Sequence, residues 1–347
     1  MKMRKMTYRW LWSCLVAGNL LLTGCADRSE EDLPQPEQGT PLRLQAVTRT
    51  DGASSYASSQ SIRIYLTTAD EMVEANGEFS LNGWTSNLNV KEERQYYIYG
   101  YMPSSLSVNQ SKPTNGSYAD GINLSFTNLP VVTTDDICIV VGVERVVGST
   151  SSANVTEGNY GYLSGINTQN YVNLLMAHLY TGLEVKFKLD ADYAKLRSIH
   201  LKEVKLTYTA GTVSATVNIL AGQGIGAPNF TSTSASSQET SLLGTTDLEV
   251  VLDKTAVTTA VSLKEVYCVP TLFTDNPTMT LTSKYDVYDK EGMILGERTS
   301  ENTISTAWTD ANPAAPGKKK TITLTVKPTY LYILSDNDLD NPIITTE

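Results

Sequence analysis

Alternation of apolar and polar side chains is the feature that most constrains how this chain can fold. In residues 61–67 (SIRIYLT) and again in residues 183–189 (LEVKFKL), every second side chain is apolar. A period of two places those side chains on one face of an extended strand, because successive strand residues point to opposite sides. The pattern predicts half-buried strands that need a second layer to cover their apolar face.

The same pattern recurs along most of the chain, and no long stretch has the period of a helix. Residues 191–197 (ADYAKLR) predict two helical turns at most, and residues 289–292 (DKEG) predict a hairpin turn. Short strands with Gly, Asn and Pro breaks are typical of β-sandwiches, so we expect an all-β fold. Further predicted strands are Tyr96–Met102, Ile137–Val143, Ile199–Tyr208, Thr212–Leu220, Leu248–Leu252, Val266–Pro270, Met279–Tyr288 and Thr321–Val326.

Two polar stretches suggest how the chain is divided. Residues 149–171 are rich in Gly, Ser and Asn, and a domain boundary near their end gives an N-terminal β-sandwich over residues 50–175 and a C-terminal one over residues 176–347. A second polar stretch, residues 222–244, predicts a long loop inside the C-terminal domain.

The N-terminus predicts a lipoprotein signal peptide over residues 1–24. Four basic residues come first, followed by an apolar run over residues 10–22 that is too short to span a membrane as a helix. The sequence Leu-Thr-Gly-Cys that ends at Cys25 has the form of a bacterial lipobox, in which the cysteine becomes the acylated N-terminus. The alternative is an ordinary signal peptide with an incidental cysteine.

The charge of the chain argues against a nucleic-acid-binding protein, and its few cysteines limit the possible disulfides. The chain has 27 basic and 37 acidic residues, and four of the basic ones lie in the leader, so nucleic acid is a poor partner. Two cysteines lie in strand-like runs, Cys138 and Cys268. They could form a disulfide in an exported protein, but two separate buried thiols are the preferred interpretation.

No motif predicts catalysis, a cofactor or a metal site. His178 and His200 lie in strand-like runs and are interpreted as structural. Residues 222–227 fit a G-x-G-x-x-A pattern but are not followed by a helix that could bind a pyrophosphate. The acidic run 336–340 lacks the glycine of a calcium loop and is interpreted as a solvated tail. We therefore expect a protein that is not an enzyme.

A short strand just before a basic residue is the next informative feature. In residues 41–50 (PLRLQAVTRT), the apolar residues Leu42, Leu44 and Ala46 alternate with polar ones, and a Gly/Ser-rich run follows. We expect Arg49 to be exposed at the end of this strand, where a trypsin-like protease would cut between Arg49 and Thr50.

Several of these sequences together resemble the fimbrillin family of Bacteroidetes, the type V pilins and their accessory subunits. The similarity covers nearly the whole chain but depends on patterns and their order. It rests on the lipobox, the strand ending in VTRT (47–50), the aromatic run QYYIYGYMP (95–103), AHLY (177–180), VKFK (185–188) and DYAKLRSI (192–199).

The resemblance implies two tandem β-sandwich domains of transthyretin-like topology, export as a lipoprotein, and a place at the outer membrane and in a surface fimbria. It also implies that Cys25 is lipidated and that an arginine-specific protease cuts after Arg49 and removes residues 25–49. The vacated sheet edge would then accept the C-terminal strand of another subunit, so the implied partners are other fimbrial subunits, the outer membrane before maturation, or a host or bacterial receptor.

The C-terminal segment 329–347 is the predicted donor. Residues 321–326 predict a closing strand, Pro328 ends its pairing, and an apolar run follows. The alternative is a last strand that packs in its own sheet. The residues of the apolar run are Tyr330, Leu331, Tyr332, Ile333 and Leu334.

Three functional hypotheses remain open from the sequence. A stalk subunit needs a removable first strand and a donor segment, and an anchor or tip subunit of the same fimbria would differ in processing. A surface glycan-binding lipoprotein would also have a lipobox and β-sandwiches, but it would display tryptophan platforms. Only Trp84 and Trp308 follow the leader, and they lie far apart in the sequence.

Overall fold

Strands account for most of the chain in the computed structural model, and the predicted all-β class is confirmed. The structure describes residues 39–49, 60–82, 85–146, 155–166, 170–233, 235–244, 247–276, 278–305, 314–326 and 343–346. The strands of this part are β1 (Thr40–Arg49), β2 (Ser61–Thr67), β3 (Met72–Ser80), β4 (Thr85–Ser86), β5 (Asn89–Val90), β6 (Gln95–Met102), β7 (Ser107–Ser111), β8 (Gly121–Leu129), β9 (Val132–Thr133), β10 (Cys138–Val146), β11 (Gly161–Leu163), β12 (Asn170–His178), β13 (Thr181–Leu189), β14 (Arg197–Ala210), β15 (Val213–Leu220), β16 (Gly224–Ile225), β17 (Asn229–Ser232), β18 (Ser236–Leu243), β19 (Val250–Leu252), β20 (Val261–Ser262), β21 (Val266–Cys268), β22 (Thr278–Asp289), β23 (Ile294–Ser305), β24 (Lys319–Val326) and β25 (Ile343–Thr346).

Helical structure in the described residues is limited to short pieces. One α-helix, α1, covers Thr271–Asp275, and two 3₁₀ turns cover Tyr193–Lys195 and Lys254–Val257. The first of these turns lies within the stretch 191–197, where the sequence allows two turns at most. None of the helices in the described part of the chain is long and apolar enough to cross a lipid bilayer.

The first sheet contains nine strands in the order β4-β3-β2-β6-β10-β12-β1-β5, with β11 paired to β6. Its central strand β6 is buried along most of its length, since the alternation of aromatic and apolar residues in QYYIYGYM leaves little polar surface. In β2 the predicted apolar face is buried, because Ile62, Ile64 and Leu66 are all fully buried, but Tyr65 on the opposite face is buried as well, so the second half of the strand does not alternate.

Three smaller sheets contain the other strands of the described residues. Their orders are β25-β24-β13-β21-β9 with β20 on β13, β18-β14-β22-β23 with β19 on β14, and β16-β15-β8-β7 with β17 on β15. In β13 the predicted face is confirmed, since Leu183, Val185, Phe187 and Leu189 are each about 1% exposed. These apolar faces pack together into one buried core.

Strands from the two halves of the sequence share sheets. β8 pairs antiparallel with β15, where Leu124 lies opposite Val217, and β9 pairs with β21. Residue 175 itself lies inside β12. The described residues from Gly39 onward form one compact unit, and the division into sandwich domains over 50–175 and 176–347, with transthyretin-like topology, stays a prediction.

The long loop predicted over residues 222–244 is wrong, since this stretch contains β16, β17 and β18. β18 is an edge strand, and its sequence SSQETSLL is exposed at half of its positions and buried only at its last two. A polar edge strand lacks the apolar alternation that reveals a half-buried one, and it is held by backbone pairing with β14 instead. The sequence pattern therefore missed it.

Candidate functional site

The first strand of the described chain is inserted into the largest sheet. β1 runs parallel to β12, with Leu42 opposite Asn170 and Arg49 opposite Met176. On its other side it pairs with β5 only at its start, where Thr40 lies opposite Val90. Past the bond from Leu42 N to Leu88 O (2.9 Å), that side of β1 pairs with no other described strand.

The apolar side chains of β1 are buried, although not in the predicted set. Leu42 and Leu44 are buried as expected, but the third buried residue is Val47, and Ala46 is only half-buried. The register with β12 shifts between Leu44 and Ala46, which leaves one additional residue in β1. Such a bulge changes the phase of the alternation, and so the predicted position of Ala46 on this face is wrong.

Side-chain hydrogen bonds fix the start of β1. Thr40 Oγ1 donates to Val90 O at 3.2 Å and accepts a bond from Asn170 Nδ2 at 2.6 Å. The other end of the Asn170 amide, Oδ1, accepts a bond from Gly165 N at 2.9 Å. Because Asn170 is buried, these bonds tie the first residue of β1 to two neighbouring segments.

The last residue of β1 is not exposed as the sequence predicted. The Arg49 side chain is 13% exposed, and its Nη2 lies 2.9 Å from Oδ2 of Asp136, a side chain that is 4% exposed. The prediction assumed that a strand end before a polar run faces solvent. The acidic partner comes from the segment just before β10, which nothing in the sequence around Arg49 reveals.

A histidine and a cysteine extend this ion pair into a buried cluster. His178 Nδ1 lies 2.9 Å from Asp136 Oδ1 and 3.8 Å from Cys138 Sγ. The antiparallel pairing of β10 and β12 places Cys138 opposite His178. Asp136 and Cys138 are two residues apart in extended chain, which puts both on the same side. Asp136 is not among the residues predicted from the sequence, although its spacing from Cys138 was the available signal.

A polar cavity of about 250 Å³ opens beside this cluster. Its lining includes Arg49, His178, Tyr267, Glu265 and Lys319, and Lys319 Nζ lies 3.0 Å from Glu265 Oε2. Burial raises the pKa of Tyr267 to about 12, and the charges of Asp136 and Glu265 act in the same direction. The phenol therefore stays protonated near neutral pH and is available as a hydrogen-bond donor.

The two cysteines of the described chain are both buried and are not joined in a disulfide, which agrees with the preferred interpretation of two separate buried thiols. Cys268 lies in β21, and burial raises the pKa of its thiol.

The second histidine, His200, lies away from this cluster. Its Nδ1 is 3.1 Å from Glu249 Oε2, and its ring stacks on Tyr288 with 4.1 Å between the ring centroids. The structural role predicted for His200 stays a prediction.

Near the other end of the chain, the last described strand pairs with the protein itself. β25 runs antiparallel to β24, with Leu324 opposite Ile344, and it occupies that edge of β24. Several predicted sites lie outside the described residues. These are Cys25, Thr50, the donor residues 330–334, the acidic run 336–340, Trp84 and Trp308.

No protein-family model and no curated protein matches this sequence. The solved structures it is similar to are fimbrial and provisionally assigned cell adhesion proteins, mostly of Bacteroides, which is the class that the sequence resembles. A fimbrial protein from Bacteroides vulgatus has 13% identity and a TM-score of 0.41, and the match covers 89% of this chain and 98% of that one.

Two further matches are of the same kind. A provisionally assigned cell adhesion protein from Bacteroides uniformis has 14% identity, a TM-score of 0.38, and coverage of 87% of this chain and 95% of that one. The fimbrial anchor protein Mfa2 from Porphyromonas gingivalis has 10% identity, a TM-score of 0.30, and coverage of 82% and 90%.

Proposed function

We propose that the protein is a structural subunit of a cell-surface fimbria. It is exported as a lipoprotein through Cys25, matured by cleavage after Arg49, and assembled by strand donation between subunits. The observation that carries the proposal is β1, an N-terminal strand that fills a place in the largest sheet and ends at the arginine where cleavage was predicted. The partners are then other copies of the chain or other subunits of the same fibre.

Removal of β1 would uncover both backbone and apolar surface. The pairing with β12 extends from Leu42 to Arg49, so β12 would become an unpaired edge over this length. The three buried side chains of β1 contribute about 1.5–3 kcal/mol each. Their sum is a large part of the 5–15 kcal/mol by which a typical domain is stable. A chain that loses β1 therefore needs a replacement strand.

Strand addition from another subunit meets that need. An exposed sheet edge binds an extended segment through backbone hydrogen bonds, and pockets for alternate side chains set its register. The predicted donor, Tyr330–Leu334, follows β24 in the sequence and carries enough apolar side chains to occupy the places of Leu42, Leu44 and Val47. The run is apolar on both faces, which is hazardous at a terminus that stays in solvent.

The state of Arg49 supports a second candidate, an anchor or tip subunit that keeps its first strand. An arginine must enter the specificity pocket of a protease to be cut, and here its guanidinium contacts buried Asp136 instead. A subunit with this arrangement resists cleavage until the end of β1 separates from Asp136. An anchor that retains β1 would also retain its lipid and stay at the outer membrane.

N-terminal sequencing of protein sheared from the cell surface distinguishes a stalk subunit from an anchor subunit. A stalk subunit starts at Thr50, and an anchor starts at an acylated Cys25. Arg49→Ala should abolish fibres if cleavage is required, whereas Arg43→Ala, at an exposed position of the same strand, should leave them intact. Normal fibres from Arg49→Ala would contradict the stalk proposal, and binding on a carbohydrate array would favour the glycan-binding alternative.

A further inference from the structure

Asp136, Cys138 and His178 bring three metal-binding atoms to one point. The carboxylate oxygen, the thiol sulfur and the imidazole nitrogen all lie within 4.8 Å of one another. In tetrahedral zinc sites, bonds of 2.0–2.3 Å separate a nitrogen from an oxygen ligand by about 3.3 Å and from a sulfur ligand by about 3.6 Å. The observed distances from His178 Nδ1 are 2.9 Å to Asp136 Oδ1 and 3.8 Å to Cys138 Sγ. A small movement of one side chain would bring both to the tetrahedral values.

The charge and burial of the three residues also suit a divalent cation. Asp136 and Cys138 are buried, and a carboxylate together with a thiolate balances two positive charges. Asp136 Oδ2 accepts no well-directed hydrogen bond from the described residues, although Arg49 lies 2.9 Å away as an ion pair. The oxygen that faces His178 is the other one, Oδ1, so the ion pair with Arg49 does not occupy the oxygen that would bind the metal.

We propose that Asp136, Cys138 and His178 form a Zn²⁺ site whose fourth position faces the cavity at the end of β1. Three protein ligands and one open position are typical of zinc sites that keep a water. The cavity of about 250 Å³, lined in part by His178, holds that water and gives the ion access. The ligands belong to this chain alone, so the site does not depend on the proposed fimbrial function.

Arg49 controls the affinity of this site. Its guanidinium contacts the same carboxylate from the Oδ2 side, and two cations close together in a partly buried place repel each other. The metal therefore binds more weakly while Arg49 is in place. Replacement of Arg49 by alanine removes the repulsion and leaves the three ligands unchanged.

Cobalt is the probe, because Co²⁺ occupies zinc sites and a thiolate ligand gives it a strong near-ultraviolet absorption. We expect the purified full chain to bind Co²⁺ with this absorption and to release it to Zn²⁺. Cys138→Ser and His178→Asn should lose the signal, while Cys268→Ser, at a second buried thiol outside the cluster, should keep it. Arg49→Ala should bind about tenfold more tightly.

Cys14 and Cys25 are present in every variant, so only the part of the signal that depends on Cys138 counts. An absorption in Cys138→Ser equal to that of the unaltered chain overturns the proposal. Circular dichroism shows whether each variant is folded. If Cys138→Ser does not fold, the thermal melting of the unaltered chain decides, since a true site raises the melting temperature with added Zn²⁺ and this rise is lost in His178→Asn. No rise in the unaltered chain also overturns it.

Discussion

At the scale of residues, the ion pair of Arg49 with Asp136 is the contact on which the proposed maturation depends. It fixes the guanidinium in a position that is 13% exposed, beside a carboxylate that also binds His178. The same contact therefore protects the proposed cleavage site and occupies part of the proposed metal site. Changes at Asp136 should affect proteolysis before they affect the fold.

Asp136→Asn should make Arg49 easier to cut. The amide cannot form the ion pair, so the arginine leaves its buried position more often and is cleaved several times faster by a trypsin-like protease. The rate is measured by gel and N-terminal sequencing of limited digests. Asp135→Asn is the control, since Asp135 is exposed and adjacent. Equal rates in the two variants would show that the ion pair does not protect the site.

At the scale of elements, β1 is a strand whose apolar face belongs to the core of the precursor. Its three buried side chains follow the bulge after Leu44 and not strict alternation. The opposite terminus supplies β25, which covers an edge of β24. The first and the last described strands, β1 and β25, thus both lie in sheets. Strand exchange between subunits would displace both of them.

Leu44→Ala should lower the free energy of unfolding of the precursor by about 2–5 kcal/mol, because it leaves a cavity under β1. Urea denaturation measures the change. Arg43→Ala, at an exposed position of the same strand, should change it by less than about 0.5 kcal/mol. If both variants were equally stable, β1 would not be part of the core and its removal would create no groove.

Deletion of residues 329–347 should give a monomer with a nearly unchanged melting temperature that forms no polymer. The deletion removes the predicted donor, and of the described residues it removes only β25, which is short and lies at the edge of its sheet. Calorimetry and electron microscopy are the measurements. A truncated protein that fails to fold would place the segment in its own core and contradict the donor hypothesis.

At the scale of the whole molecule, charge pairs on the sheet β18-β14-β22-β23 link stability to pH. Glu203 is buried in β14 and lies 2.9 Å from Lys284 Nζ and 2.9 Å from Lys205 Nζ. The hydrogen bonds from Lys284 and then Lys205 hold the pKa of the Glu203 carboxyl below its usual value. A lowered pKa stabilises the fold above the unfolded-state pKa, near 4.3, and this stability is lost as the pH falls through the folded-state value.

Glu203→Gln should therefore be less stable than the unaltered chain at pH 7 and should lose less stability between pH 5 and pH 3. Urea denaturation at a series of pH values measures both effects. Glu301→Gln, at an exposed position of β23, should keep the pH dependence of the unaltered chain. An identical acid response of Glu203→Gln and the unaltered chain would contradict the argument.

The sequence by itself determined the all-β fold and the presence of β1. Alternation with a period of two is a local property, so it can be recognised without knowing which strands pair. Prediction from alternation failed at the polar edge strand β18, where the local pattern is weak. It also failed at Ala46 and Val47, where a bulge shifts the phase of the alternation.

Only the tertiary structure decided the environment of Arg49. Asp136 and His178 are 42 positions apart, and the pairing of β10 with β12 is what brings His178 beside the segment that carries Asp136. The parallel pairing of β1 with β12 then places Arg49 against the same carboxylate. Long-range strand pairing is set by the packing of whole sheets, and for that reason no pattern around Arg49 could reveal that it is buried.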